Sequence, residues 1–94
     1  MTVRWTPTSL RDLQSLYDFI EQDKPNAASK MVDKILTGTD LLPQNPHLGR
    51  TGRVPDTREL IASPFAVVYR VRRNTIEILA IIHSARRWPA SFDS

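Results

Sequence analysis

At 94 residues the chain holds one domain. Without cysteine, and with only two distant histidines, His47 and His83, it offers neither a disulfide nor metal-ligand spacing. No apolar run approaches a membrane span and no signal peptide is evident, so the expected location is the cytoplasm, with no membrane, metal or cofactor. The net charge of +3 is uneven: residues 1–49 carry five basic and six acidic groups, whereas residues 50–94 carry eight basic groups, all arginine, against four acidic ones, which points to an anionic or acidic partner on the C-terminal half.

Thr2 to Trp5 is a short predicted strand. Thr6 is suited to cap a helix and Pro7 to occupy its first position. Leu10, Leu13, Leu16/Tyr17 and Ile20 recur at helical spacing, so the first helix runs to about Gln22. Asp23-Lys24-Pro25 stops that helix and starts another, whose apolar face is Ala28, Met31, Val32, Ile35, Thr39 and Leu42. So short a turn makes the two an antiparallel helical hairpin. Gly38 inside the second helix marks either close packing or early fraying. Pro43 ends it, and residues 43–56, with three prolines and two glycines, read as a long ordered loop with no element of its own.

Three strands follow. They are Thr57 to Ala62, Phe65 to Arg72 after the break at Ser63-Pro64, and Ile76 to His83 after the turn Arg73-Asn74-Thr75. In the middle one, Phe65, Val67, Tyr69 and Val71 share a face opposite Ala66, Val68, Arg70 and Arg72. In the last, Ile76, Ile78, Ala80 and Ile82 alternate with Leu79 and Ile81. The order is β-α-α-β-β-β, an α+β fold with a helical hairpin on one face of a small, mostly antiparallel sheet. Only about a dozen residues follow the last strand, too few to cover Leu79 and Ile81, so these two are expected as an exposed apolar strip that takes a partner segment.

Several segments together resemble the RelE/ParE superfamily of bacterial type II toxin-antitoxin toxins: the element order, Pro46-His47-Leu48-Gly49-Arg50, Thr57-Arg58-Glu59-Leu60, Ser63-Pro64-Phe65-Ala66-Val67-Val68-Tyr69-Arg70-Val71, and Ile82-His83-Ser84-Ala85-Arg86-Arg87-Trp88-Pro89. The resemblance spans essentially the whole chain. It implies a growth-arresting toxin, of the kind that serves plasmid stabilisation, held inactive by a cognate antitoxin, with operator DNA reached only through that antitoxin. RelE-like members cut mRNA in the ribosomal A site and ParE-like members poison DNA gyrase. The nuclease branch typically sets an arginine just before Leu-Val-Tyr in its third strand, and a tyrosine or His-Tyr pair near the C-terminus. Here the first position is Ala66 and no tyrosine follows Tyr69, which places the chain nearer the ParE side.

The candidate binding residues are Arg50, Arg53, Arg58, Arg70, Leu79, Ile81, Arg86, Arg87 and Trp88. Arginine presents a planar fork that matches carboxylate or phosphate, and a tryptophan beside two arginines adds a large anchor. If the chain were a ribonuclease, His83, Arg58 and Arg86 would be its catalytic candidates. His83 would suit activation of a 2′-hydroxyl, and its structural alternative is a hydrogen bond at the sheet edge or tail. Arg58 is followed by Glu59, so a local ion pair is its structural alternative, and Tyr69 reads as core.

Overall fold

The computed structural model describes residues 1–92. Its elements are β1 (Thr2–Trp5), α1 (Pro7–Glu21), α2 (Pro25–Asp40), β2 (Arg50–Thr51), β3 (Arg58–Ala62), β4 (Phe65–Arg72) and β5 (Thr75–His83). The sheet order is β1-β5-β4-β3-β2; β1 runs parallel to β5 and the other pairs are antiparallel. The expected α+β architecture is therefore present, with one added strand. Residues 43–56 were expected to hold no element, yet Arg50 and Thr51 pair with Glu59 and Arg58 at the sheet edge.

Local chemistry sets the entry to α1. The Thr6 hydroxyl accepts from the Ser9 N–H at 3.2 Å and donates to the Ile78 carbonyl at 2.8 Å, so one side chain caps the helix and ties it to the sheet. The helical hairpin packs one face onto the sheet around Leu16, Ile35, Leu42, Ala62, Val67, Tyr69, Ile76, Ile78 and Ile81. Gly38 marks close packing: a Cβ there would stand 2.7 Å from Leu60 Cδ2. No helix among the described residues is long and apolar enough to cross a membrane.

Simple alternation misplaces the end of β5. Val68 pairs with Ala80 and Tyr69 with Ile78, so Leu79 is an extra residue, a β-bulge. Beyond it the faces exchange. Ile81 joins Ile76 and Ile78 on the helix side, opposite Val67, while Ala80 and Ile82 face away. The expected exposed strip is thus corrected: Leu79 is 2% and Ile81 7% exposed.

The far face is not bare either. Ala66 and Val68 are fully buried on it, and Arg53 and Trp88 lie across the row that Val68 shares with Glu59. The short C-terminal tail and the loop before β3 cover the face that the sequence seemed to leave open.

Candidate functional site

Two features meet at the end of the sheet where β5 stops. The first is a buried ionic latch. Glu59, on the far face of β3, is 1% exposed. Its Oε1 accepts from Arg50 NH2 at 3.0 Å, and its Oε2 accepts from the Arg53 backbone N–H at 2.8 Å and Arg53 Nε at 3.3 Å. The Arg53 guanidinium also donates to the Ser84 carbonyl at 3.2 Å and lies 3.7 Å from the centre of the Trp88 ring. Trp88 Nε1 donates in turn to the His83 carbonyl. Arg53 therefore joins loop, strand and tail in one network. Burial acts first to raise the Glu59 carboxyl, but the hydrogen bonds from Arg53 and Arg50 outweigh it and hold the group below the ordinary carboxylate range.

The second feature is a groove of about 580 Å³ between α1 and the outer edge of β5. It exists because β1 accompanies β5 only as far as Ile78 before turning into α1 at Thr6, leaving the edge beyond without a strand neighbour. Asp12 on α1 accepts from the Ile81 N–H at 3.0 Å, satisfying one edge donor. Burial pushes the Asp12 carboxyl up, more than that hydrogen bond draws it down. Phe19, 69% exposed, forms the apolar lip, and Arg86, Arg87 and Phe92 of the tail form the opposite wall. Arg86 and Arg87 are exposed, with no carboxylate partner among the described residues.

The nominated residues distribute unevenly about this end. Arg53, His83, Arg86, Arg87 and Trp88 come together, with Arg50 reaching in through Glu59 and Ile81 forming part of the groove floor. Leu79 does not line the groove. His83 packs edge-on against Phe65, and its Nδ1 accepts from the Ala85 N–H at 3.1 Å. Arg58 lies on the helix side, where it donates to the Gly49 carbonyl at 2.8 Å; it braces the loop and does not pair with Glu59. Arg70 sits at the opposite end of β4, bonded to Glu77. Glu59 went unrecognised as the hub. Its sequence signal is a lone acid on a strand that comes after three arginines, Arg50, Arg53 and Arg58, but its partners are the two from the loop and not Arg58.

The loop itself is organised by Tyr69. Its buried hydroxyl donates to the Pro46 carbonyl and accepts from the Gly49 N–H, both at 2.8 Å. Gly49 has no room for a side chain, since a Cβ would stand 2.7 Å from Tyr69 Cε1 and 2.9 Å from the Glu59 carbonyl. Burial raises the Tyr69 hydroxyl above its ordinary value.

The chain is thus a small α+β domain, with a helical hairpin on one face of a five-stranded sheet and a short tail over the other. Residues 3–88 match the family described as the ParE toxin of the type II toxin-antitoxin system parDE, and the chain belongs to that family. It is similar to the putative toxin Y4kP of Sinorhizobium fredii, 40% identical over 89 residues that span 93% of this chain and 92% of the relative. It is also similar to toxin RelE2 of Caulobacter vibrioides, 32% identical over 89% of this chain and 96% of that one. Among solved structures, a chromosomal ParDE toxin-antitoxin system from P. aeruginosa superposes with a TM-score of 0.79 at 33% identity, covering 88% of this chain and 95% of that one. The YoeB dimer from Staphylococcus aureus, at 19% identity and a TM-score of 0.58 over 85% of this chain and 92% of that one, shares the fold.

Proposed function

We propose that this type II toxin acts in the cytoplasm by poisoning DNA gyrase, and that its antitoxin neutralises it through the groove between α1 and β5. The observation that carries the target is the character of the tail end: guanidinium groups without a proton-transfer pair. RNA cleavage needs a base for the 2′-hydroxyl, cations on the phosphate and an acid for the leaving oxygen. Guanidinium stays protonated near neutral pH and moves no proton. Ala66, where the nuclease branch typically carries arginine, is fully buried. Tyr69 is enclosed under the loop and Tyr17 lies on α1. His83 has one ring nitrogen engaged by Ala85 and would have to serve alone as base and acid.

For the antitoxin, the groove offers an unpaired strand edge, an apolar lip at Phe19, and Arg86 and Arg87 to receive carboxylates. An acidic, amphipathic segment that orders on binding fits all three. The exposed strip expected at Leu79 and Ile81 is buried, and the groove takes its place as the seat for this partner.

Brief expression without antitoxin tests the target. DNA synthesis is expected to halt and cells to filament while translation initially continues. A-site cleavage of mRNA by purified toxin on programmed ribosomes, lost in His83→Ala, would replace gyrase with the ribosome. For the groove, Phe19→Asp is expected to release the antitoxin during co-purification at high salt; retention at the parental level refutes it.

A further inference from the structure

We propose that the opposite end of the sheet, at the β4–β5 turn, is a separate site: a sequence-independent seat for the phosphate backbone of a nucleic-acid duplex. It stands about 25 Å from the tail, the length of eight-residue β4 at the usual strand rise. Arg4, Arg72, Arg73 and Thr75 surround a shallow hollow with Glu77 at its base. Glu77 accepts from Arg70 Nε at 2.7 Å and from Arg4 NH2 at 2.5 Å, which fixes both guanidiniums across three strands. Arg72 and Arg73 are exposed and have no carboxylate partner among the described residues. Four guanidiniums against one carboxylate leave a surplus of three positive charges at one rim.

The backbone gives an independent reason to think Arg73 is there for its side chain. Arg73 and Asn74 are the central residues of a two-residue hairpin turn, with φ of 52° and 60°, closed by the pair Arg72 and Thr75. Such a turn demands positive φ at both positions, which glycine, asparagine and aspartate meet easily and arginine meets only at a steric cost. Asn74 obeys that preference and Arg73 breaks it. A local rule broken at an exposed position, where packing does not require the residue, points to a role for the charge.

The chemistry of the hollow selects the partner. Its lining holds no aromatic or aliphatic side chain. A protein partner would gain little without an apolar anchor, and single-stranded bases would find nothing to stack on. Fixed and free guanidiniums together suit a run of phosphates, where charge carries the affinity and no base is read. Operator recognition is not implied, and the site is independent of what the toxin poisons.

The test uses the purified full chain, its fold checked by circular dichroism, and fluorescence anisotropy at low salt. The probes are a mixed-sequence DNA duplex of roughly 20 base pairs, an RNA duplex of equal length, and a polyglutamate peptide. The parent should bind duplex, and R72E with R73E should weaken binding at least ~10-fold. That pair should also make the dependence of log affinity on log salt shallower by about 2, the loss of two phosphate contacts. Binding of both duplexes assigns the shared backbone; binding of one identifies its source. R73G should raise the thermal midpoint, because glycine relieves the turn, while weakening duplex binding several-fold. Parental affinity in R72E with R73E overturns the proposal, as does absent duplex binding, tighter binding of polyglutamate, or loss of binding only in R86A with R87A.

Discussion

Glu59 and Glu77 lie on the same face of one sheet, each held between two arginines, and the two ends they organise behave as different devices. Around Glu59 the carboxylate is 1% exposed, one partner also donates its backbone N–H, and the same guanidinium stacks on Trp88. Around Glu77 the carboxylate is 11% exposed and two further arginines stand free of it; the paired arginines do not separate the ends, being 59% and 39% exposed at Glu59 and 48% and 11% at Glu77. Identical residue types thus close one end of the molecule and leave charge available at the other. Enclosure of the carboxylate decides the difference: Glu59, cut off from water, must be satisfied in place, whereas Arg72 and Arg73 at the rim are solvated without a partner.

The sharpest way to break that comparison is to remove each acid. Glu59→Ala empties an enclosed space and leaves the Arg53 backbone N–H without its acceptor, while the Arg50 and Arg53 side chains, 59% and 39% exposed, still reach water; it is expected to cost about 2–3 kcal/mol. Glu77→Ala frees Arg4, already 48% exposed, and leaves Arg70, 11% exposed, to turn toward water on its flexible stem; it should cost about 1–2 kcal/mol. Urea denaturation of both variants beside the parent measures this; equal losses would mean that enclosure is not what separates the ends. Next in size is Tyr69→Phe, which deprives the Pro46 carbonyl and the Gly49 N–H of their partner and is expected to cost about 1–2 kcal/mol.

Acid sharpens the contrast without mutation. Both carboxyls are held below the ordinary value of 4.5, Glu59 by hydrogen bonds that exceed its burial penalty and Glu77 chiefly by Arg70 and then Arg4. A carboxyl depressed in the folded state stabilises it fully above the unfolded value and loses that contribution as pH falls through the folded one. Stability should therefore hold above about pH 4.5 and decline below it. In a Trp5→Phe background Trp88 is the sole tryptophan, and its emission should shift to the red over the same range as the latch opens. Glu59→Gln should bring that red shift to neutral pH, while Glu77→Gln should leave the emission unchanged. A shift in both variants would show that the tail responds to the whole far face.

The sequence carried the fold because its signals were local. Thr6-Pro7, Lys24-Pro25 and Arg73-Asn74 punctuate the chain where elements begin and turn, and the helical and strand periods between them are regular. What it concealed depended on partners far away in the chain. The bulge at Leu79 is one inserted residue against β4, invisible to counting along β5 alone, and it moved Ile81 into the core. Glu59 follows Arg58 in the chain, but strand alternation sends the two to opposite faces, and the partners of Glu59 arrive from the loop. The tail is short, yet Trp88 folds back over Arg53 and onto the His83 carbonyl, contacts that its length does not express. Arg86, Arg87, Trp88 and His83 were legible as a group because they are close in sequence.

The smallest expected effect on the fold is the one that matters most to the proposed target. Arg86 and Arg87 are exposed beyond the last strand, and the backbone N–H of Arg86, which donates to the His83 carbonyl, survives any side-chain change. Replacing both by alanine should therefore change stability by no more than roughly 0.5 kcal/mol, while Arg53 continues to hold Trp88 and the Ser84 carbonyl. If these two guanidiniums are the surface that engages the target, the double variant should fold, keep parental Trp88 emission in the Trp5→Phe background, and lose toxicity. Growth after antitoxin depletion reads the toxicity, and the emission reads the latch. Killing at the parental rate would remove the tail arginines from the site. Lost toxicity with a red-shifted Trp88 would instead place the effect in the latch, making Arg53 and Glu59 the residues that position the site.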